Sequence, residues 1–160
     1  YVLFAKDKTV PKDSIKTGVK TFSRLPISEI QKLEEGLVQN SNYYEILPPA
    51  YPVKPYFDLE MEYSGLSYET SKKNTDLFIY WIIIEIKNEF DVELVTSDFI
   101  KLDSCRENKL SFHVIIQNKV FFENVSDHKI FILYIWDRFN NPRNEEENIL
   151  FKTLTWTYEG

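Results

Sequence analysis

Cysteine and histidine are nearly absent from this chain, and the scarcity narrows its chemistry at once. Of 160 residues one is Cys (Cys105) and two are His (His113 and His128). A lone cysteine excludes an intrachain disulfide and favours a reducing compartment. One Cys and two His also fall short of the four ligands of a structural zinc site. Long apolar runs are missing too. The longest, Leu77 to Ile84, is eight residues, against the roughly 20 a membrane-spanning helix needs. Nothing near Tyr1 reads as a cleavable signal. The sequence therefore predicts a soluble, intracellular protein without a membrane partner. Cationic excess is lacking as well: the net charge is −6. That argues against a protein that coats nucleic acid nonspecifically, which relies on Lys and Arg. It leaves room for an enzyme with a local basic groove, because acidic metal sites lower the overall charge.

What is present is a core. Hydrophobic residues make up 43% of the chain and aromatics 16%, with 28% charged, enough to order one ordinary domain or a large piece of one. Tyr1 stands where an initiator Met is expected and the chain stops at Tyr158-Glu159-Gly160, so the sequence reads as a piece of a longer protein. Ser28 and Gln31 have capping-box spacing, and Ile30, Leu33 and Leu37 share a face, so residues 28–37 read as a short amphipathic helix ending near Gly36. Pro48-Pro49-Ala50-Tyr51-Pro52 can be neither helix nor central strand. It marks a boundary between a first module, residues 1–52, and a second module, residues 53–160.

The second module reads as a strand from Val53 to Glu60, then a helix over residues 71–90 with Asp76 in its first turn. Strands follow at Ser97–Leu102 and Lys109–Gln117, then a helix over Ser126–Phe139, a loop over Asn140–Asn144, and a late strand over Ile149–Tyr158. The order β, α, β, β, α, β is the split βαβ pattern of ferredoxin-like and RNA-recognition-like sheets. The predicted class is α+β.

Two short polar patterns sit on those strands. In Tyr56-Phe57-Asp58-Leu59-Glu60 a period of two sends Asp58 and Glu60 to one face, and Phe57, Leu59 and Met61 to the other. Adjacent carboxylates repel unless they face water or share a cation, and their oxygens suit Mg²⁺ or Mn²⁺. The ordinary alternative is an edge strand with a solvated acidic face. In Lys109-Leu110-Ser111-Phe112-His113 the same period aligns Lys109, Ser111 and His113, a row of donors suited to a triphosphate. An amphipathic strand facing solvent would read identically. The interval between the two patterns holds one helix and one strand, the crossover that lets both strands lie in one sheet and share one cleft.

Tyr56-Phe57-Asp58-Leu59-Glu60, preceded by Tyr44-Glu45-Ile46-Leu47-Pro48, resembles the first catalytic motif of PrimPol-like primase-polymerases of eukaryotes and large DNA viruses, members of the archaeo-eukaryotic primase superfamily. Lys101-Leu102-Asp103-Ser104, followed by Lys109-Leu110-Ser111-Phe112-His113-Val114-Ile115, resembles that family's approach to its S-x-H motif. The likeness covers residues 43–125. It implies the archaeo-eukaryotic primase fold, a small N-terminal α/β module packed on an RNA-recognition-like catalytic module. It implies that Asp58 and Glu60 are catalytic and bind Mg²⁺ or Mn²⁺, and that Lys109, Ser111 and His113 bind the phosphates of an NTP or dNTP. The implied reaction is two-metal nucleotidyl transfer on a DNA template-primer, with a fused or partner helicase, in a nucleus, mitochondrion or viral replication factory. The family's third motif, an Asp on a later strand followed by basic residues, has no match before Gly160. Asp127 and Asp137 fall in a predicted helix. The catalytic module is thus expected to be incomplete at its C-terminus, and the piece weak or inactive alone.

Lesser features take ordinary readings. Cys105 is expected to be a spectator thiol, His128 a surface residue, Lys72-Lys73 a solvated helix entry, and Glu145-Glu146-Glu147 an exposed loop or helix start. Lys16, Lys20 and Arg24, interleaved with Phe22, form a candidate template-binding patch. Two competing functions remain. A PD-(D/E)xK nuclease would use Asp58 with Glu85-Ile86-Lys87, but that triplet lies in a stretch that reads as helix. A non-catalytic nucleic-acid-binding sheet would display aromatics, whereas this one presents acids, Ser and His.

Overall fold

The computed structural model describes residues 1–7, 20–32, 43–62, 67–105 and 109–154. They form an α+β structure with two three-stranded antiparallel sheets and three helices. The chain divides into two compact units, Tyr1–Pro49 and Ala50–Gly160, the division falling inside the Pro48–Pro52 connector.

In the first unit, β1 (Val2–Asp7) lies between β2 (Lys20–Leu25) and β3 (Tyr43–Glu45), antiparallel to both. Ala5 is buried between Phe22 and Tyr44, which flank it in register. Of the amphipathic helix expected over 28–37, the described part is a 3₁₀ turn at Ile27–Glu29 and a helical start at Gln31 and Lys32. Residues 33–37 lie outside the described residues.

The second unit opens with an isolated bridge between Val53 and Phe122, then β4 (Tyr56–Glu62). The strand expected from Val53 starts three residues later, since Pro52 and Pro55 have no N–H to give a ladder. Helix α1 (Tyr68–Phe90) is capped by the Ser67 side chain, which accepts from the Thr70 N–H, and closed by Asp91 in the left-handed region at φ 54°. It therefore begins before residue 71, and Asp76 stands beyond the first turn, which holds Glu69. Asp76 pairs instead with Lys101. A 3₁₀ turn over Thr96–Asp98, with the Asp98 carboxylate accepting from the Val95 N–H at 2.9 Å, delays the next strand. Accordingly β5 is Phe99–Asp103, and β6 is Lys109–Ile116. Helix α2 (Val125–Asn140) is capped by Asn124.

The last element is a correction. The late strand expected over Ile149–Tyr158 is helix α3 (Glu145–Thr153) as far as Thr153, and residues 155–158 lie outside the described residues. The Asn144 side chain accepts from the Glu147 N–H, and three glutamates fill the first turn, where the helix dipole favours anions. These local terms outweigh the strand preference of Ile149 and Thr153.

The sheet runs β4-β6-β5, all antiparallel. One face buries Phe57, Leu59, Leu110, Val114 and Ile116 against Phe78, Ile79, Ile82 and Ile86 of α1, Phe131 and Ile135 of α2, and Phe151 and Leu154. The helix residues recur three and four apart, so each helix turns one apolar stripe to the sheet. That burial anchors the sheet and leaves its other face to the polar residues of β4 and β6.

Candidate functional site

Register brings the two polar patterns together. Across β4 and β6, Asp58 lies opposite His113, Glu60 opposite Ser111, and Tyr56 opposite Ile115. Directly opposed residues of an antiparallel pair project to the same side. Since Phe57 and Leu59 are in the core, Asp58, Glu60, Lys109, Ser111 and His113 share the opposite face.

His113 Nε2 is 3.2 Å from Asp58 Oδ1, with the two side chains 45% and 56% exposed. Lys109 Nζ pairs with the Glu60 carboxylate. Each acid thus faces a nitrogen donor on the neighbouring strand, in contact with solvent. Ser111 is on the same face but buried, the least accessible of the set. Its backbone is held firmly: Ser104 N donates to Ser111 O at 2.9 Å, and Cys105 Sγ lies 3.4 Å from the Ser111 N–H and 3.5 Å from its carbonyl. Burial pushes the Cys105 thiol above its usual pKa, which disfavours the reactive thiolate.

Asp58 and Glu60 offer hard oxygen donors side by side. Among the described residues no three His, Cys, Asp or Glu gather into a metal cluster. The donor set fits the way Mg²⁺ is usually held, by one or two carboxylates with water and substrate phosphate completing the shell.

Other expected residues lie elsewhere. Lys20 and Arg24 are on β2 of the first unit, alternating with Phe22, which is exposed. Lys20 Nζ sits 3.7 Å from the centre of the Tyr44 ring, and the Arg24 guanidinium 5.3 Å from that of Tyr1, both cation–π contacts. Lys16 lies outside the described residues. Glu85 and Lys87 are on α1, with Glu85 buried against Arg138 and Lys87 paired to Asp91 and Glu93. Asp127 and Asp137 are on α2.

His128 is a correction: it is buried, not on the surface. Its Nε2 lies 3.1 Å from both the N–H and the carbonyl of Tyr56, and its ring stacks on the Tyr56 ring at 4.3 Å. Burial holds its pKa below the ordinary histidine value. The spacing of His128 from Phe131 and Ile135 on the inner stripe of α2 was the available signal.

A scan against protein-family models finds no match to this chain, and a search of curated proteins finds no similar sequence.

Proposed function

We propose that the chain belongs to a primase-polymerase of the archaeo-eukaryotic type, joining NTP or dNTP units on a DNA template-primer by metal-dependent nucleotidyl transfer. The observation that carries this reading is the register of β4 on β6, which sets Asp58 against His113 and Glu60 against Ser111 on one face. The strand order β4-β6-β5, joined through α1, supports the RNA-recognition-like part of the primase fold.

Asp58 and Glu60 are the residues to hold Mg²⁺ or Mn²⁺. A bound divalent cation would neutralise phosphate charge and acidify the primer 3′-hydroxyl. His113, opposite Asp58, and Lys109, paired with the Glu60 carboxylate, carry N–H donors for the phosphate oxygens. Ser111 adds a hydroxyl at the back of the row. The protein's work is positioning and charge compensation, with no covalent intermediate. Lys20 and Arg24, with the exposed Phe22 between them, are assigned to template contact, where cations meet phosphate and an aromatic ring meets a base. The nuclease reading loses support because Glu85 and Lys87 lie on a helix and Glu85 is sealed in the interior.

The test is extension of a primed DNA template by the protein at its natural full length. Extension should require Mg²⁺ or Mn²⁺ and fall about 100-fold or more in Asp58→Ala, the scale of losing a group that stabilises developing charge. Metal-dependent cleavage without added nucleotide, lost in Lys87→Ala, would replace this reading with a nuclease.

A further inference from the structure

The polar rows of the sheet give way to an apolar one. Moving up β4 from Glu60 and Asp58, the next residue on the same face is Tyr56. Ile115 of β6 lies opposite it, and Ile100 of β5 opposite Ile115. Two residues along a strand is about 7 Å. Within that distance the face changes from carboxylates, lysine and imidazole to an aromatic ring and two aliphatic side chains. Ile115 and Ile100 are half-buried and Tyr56 is 38% exposed, so the row meets solvent rather than the core.

The Tyr56 ring is held in place. It stacks on His128 with ring centres 4.3 Å apart and planes 18° from parallel. His128 is itself 4% exposed, bonded to the backbone of Tyr56, and met edge-on by Phe122 at 5.6 Å. Burial favours the neutral imidazole, which makes a flat, uncharged backing for the ring. Much of the conformational freedom a tyrosine would lose on stacking against a ligand is therefore already lost. A phosphate-binding row ending in a pre-oriented aromatic and an aliphatic floor matches one class of ligand, a nucleotide.

We propose that Tyr56 is the nucleobase-stacking platform of this site, with Ile115 and Ile100 beside it, so that a nucleoside triphosphate lies along the strands with its base at Tyr56 and its phosphates towards Lys109 and His113. This rests on the function proposed above and names the subsite that holds the base rather than the phosphates. Stacking is sequence-tolerant because every base has a π-face, so the platform accepts purines and pyrimidines alike.

Calorimetric titration of the protein with ATP and, separately, with tripolyphosphate, each with Mn²⁺, tests it. Tyr56→Leu keeps an apolar side chain against His128 but removes the π-face. It should weaken ATP binding about tenfold, the scale of a lost base stack, and leave tripolyphosphate affinity within about twofold. Tyr56→Phe should bind both like the parent, and His113→Ala should weaken both. Unchanged ATP affinity in Tyr56→Leu, or equal losses for ATP and tripolyphosphate, would overturn the platform while leaving the phosphate site standing. If the unaltered protein binds neither probe, the proposed function fails and the platform with it.

Discussion

Two groups of acids and bases in the second unit use the same chemistry in opposite settings. In the helical layer, Arg138 Nε donates to Glu85 at 2.8 Å, and its Nη2 donates to both oxygens of Glu147 at 2.9 Å. Tyr134 Oη donates to Glu85 at 2.5 Å, and Arg138 Nη1 to the Asn141 carbonyl at 2.7 Å. The Arg138 and Glu85 side chains are 7% and 1% exposed. Burial and the Glu85 carboxylate together push the Tyr134 hydroxyl up to about 12. On the sheet, the Asp58–His113 and Glu60–Lys109 pairs are partly exposed, with side-chain exposures of 56% and 45% and of 27% and 48%. The buried cluster is saturated and ties α1, α2 and α3 together. The sheet pairs are screened and weak. Counting charges would not tell the two apart; burial does.

Breaking the buried cluster should have the largest effect. Arg138→Met strips Glu85 and Glu147 of their main partner and should cost about 3–5 kcal/mol in chemical denaturation, the penalty of an uncompensated buried charge. Adding Glu85→Leu should recover part of that loss, because removing both charges removes the desolvation cost along with the bond. A loss under about 1 kcal/mol for Arg138→Met would mean that the cluster behaves like a surface pair.

The pH dependence separates the regions next. With the folded pKa of His128 depressed by burial, the unfolded chain binds a proton first as pH falls through the ordinary value near 6.5. Stability should therefore fall with acidification from about pH 6.5 down to the folded pKa, where the loss levels off. His128→Gln should flatten that limb of a stability-against-pH curve. Glu147 acts lower. Burial raises its pKa, but the Arg143 N–H and the Arg138 guanidinium outweigh it and hold it below the usual carboxylate range. Its contribution is present above that range and lost beneath it, so His128→Gln should leave the acid end unchanged.

The smallest stability effect is expected at the site itself. Asp58→Ala should change stability by no more than about 1 kcal/mol, because each partner of that pair is about half exposed. A larger loss would show that the sheet pairs are structural after all.

The residues disclosed these regions unequally. The period of two in Phe57-Asp58-Leu59-Glu60 and in Lys109–Ile116 sorts core from polar face unaided, because a half-buried strand has only two sides. The adjacency of β4 and β6 was not legible in either motif alone and was suggested by the helix and strand between them, while the register that sets Asp58 against His113 needs the structure. The buried cluster left a fainter trace: Glu85 and Arg138 occupy apolar-stripe positions on α1 and α2, where a charge requires a partner, but the partner's identity needs the packing of two helices. Residues 149–153 misled because Ile149, Leu150, Phe151 and Thr153 suit a strand, while the deciding term, the Asn144 cap with its glutamates, lies just upstream, where Glu145–Glu147 do read as a helix start. His128 was misread for a related reason: nearness to a helix start suggested exposure, whereas its spacing to Phe131 placed it inward.

The central claim is that the Asp58–Glu60 face of the sheet, and not another acidic surface, takes a divalent cation and with it a nucleotide. Paramagnetic broadening of backbone amide resonances by substoichiometric Mn²⁺ tests this directly. The broadening should centre on Asp58, Glu60 and the facing residues of β6, sharpen its preference for them when ATP is added, and vanish in the Asp58→Ala, Glu60→Ala double variant. Broadening centred on Glu145–Glu147, or unchanged in the double variant, would contradict the account.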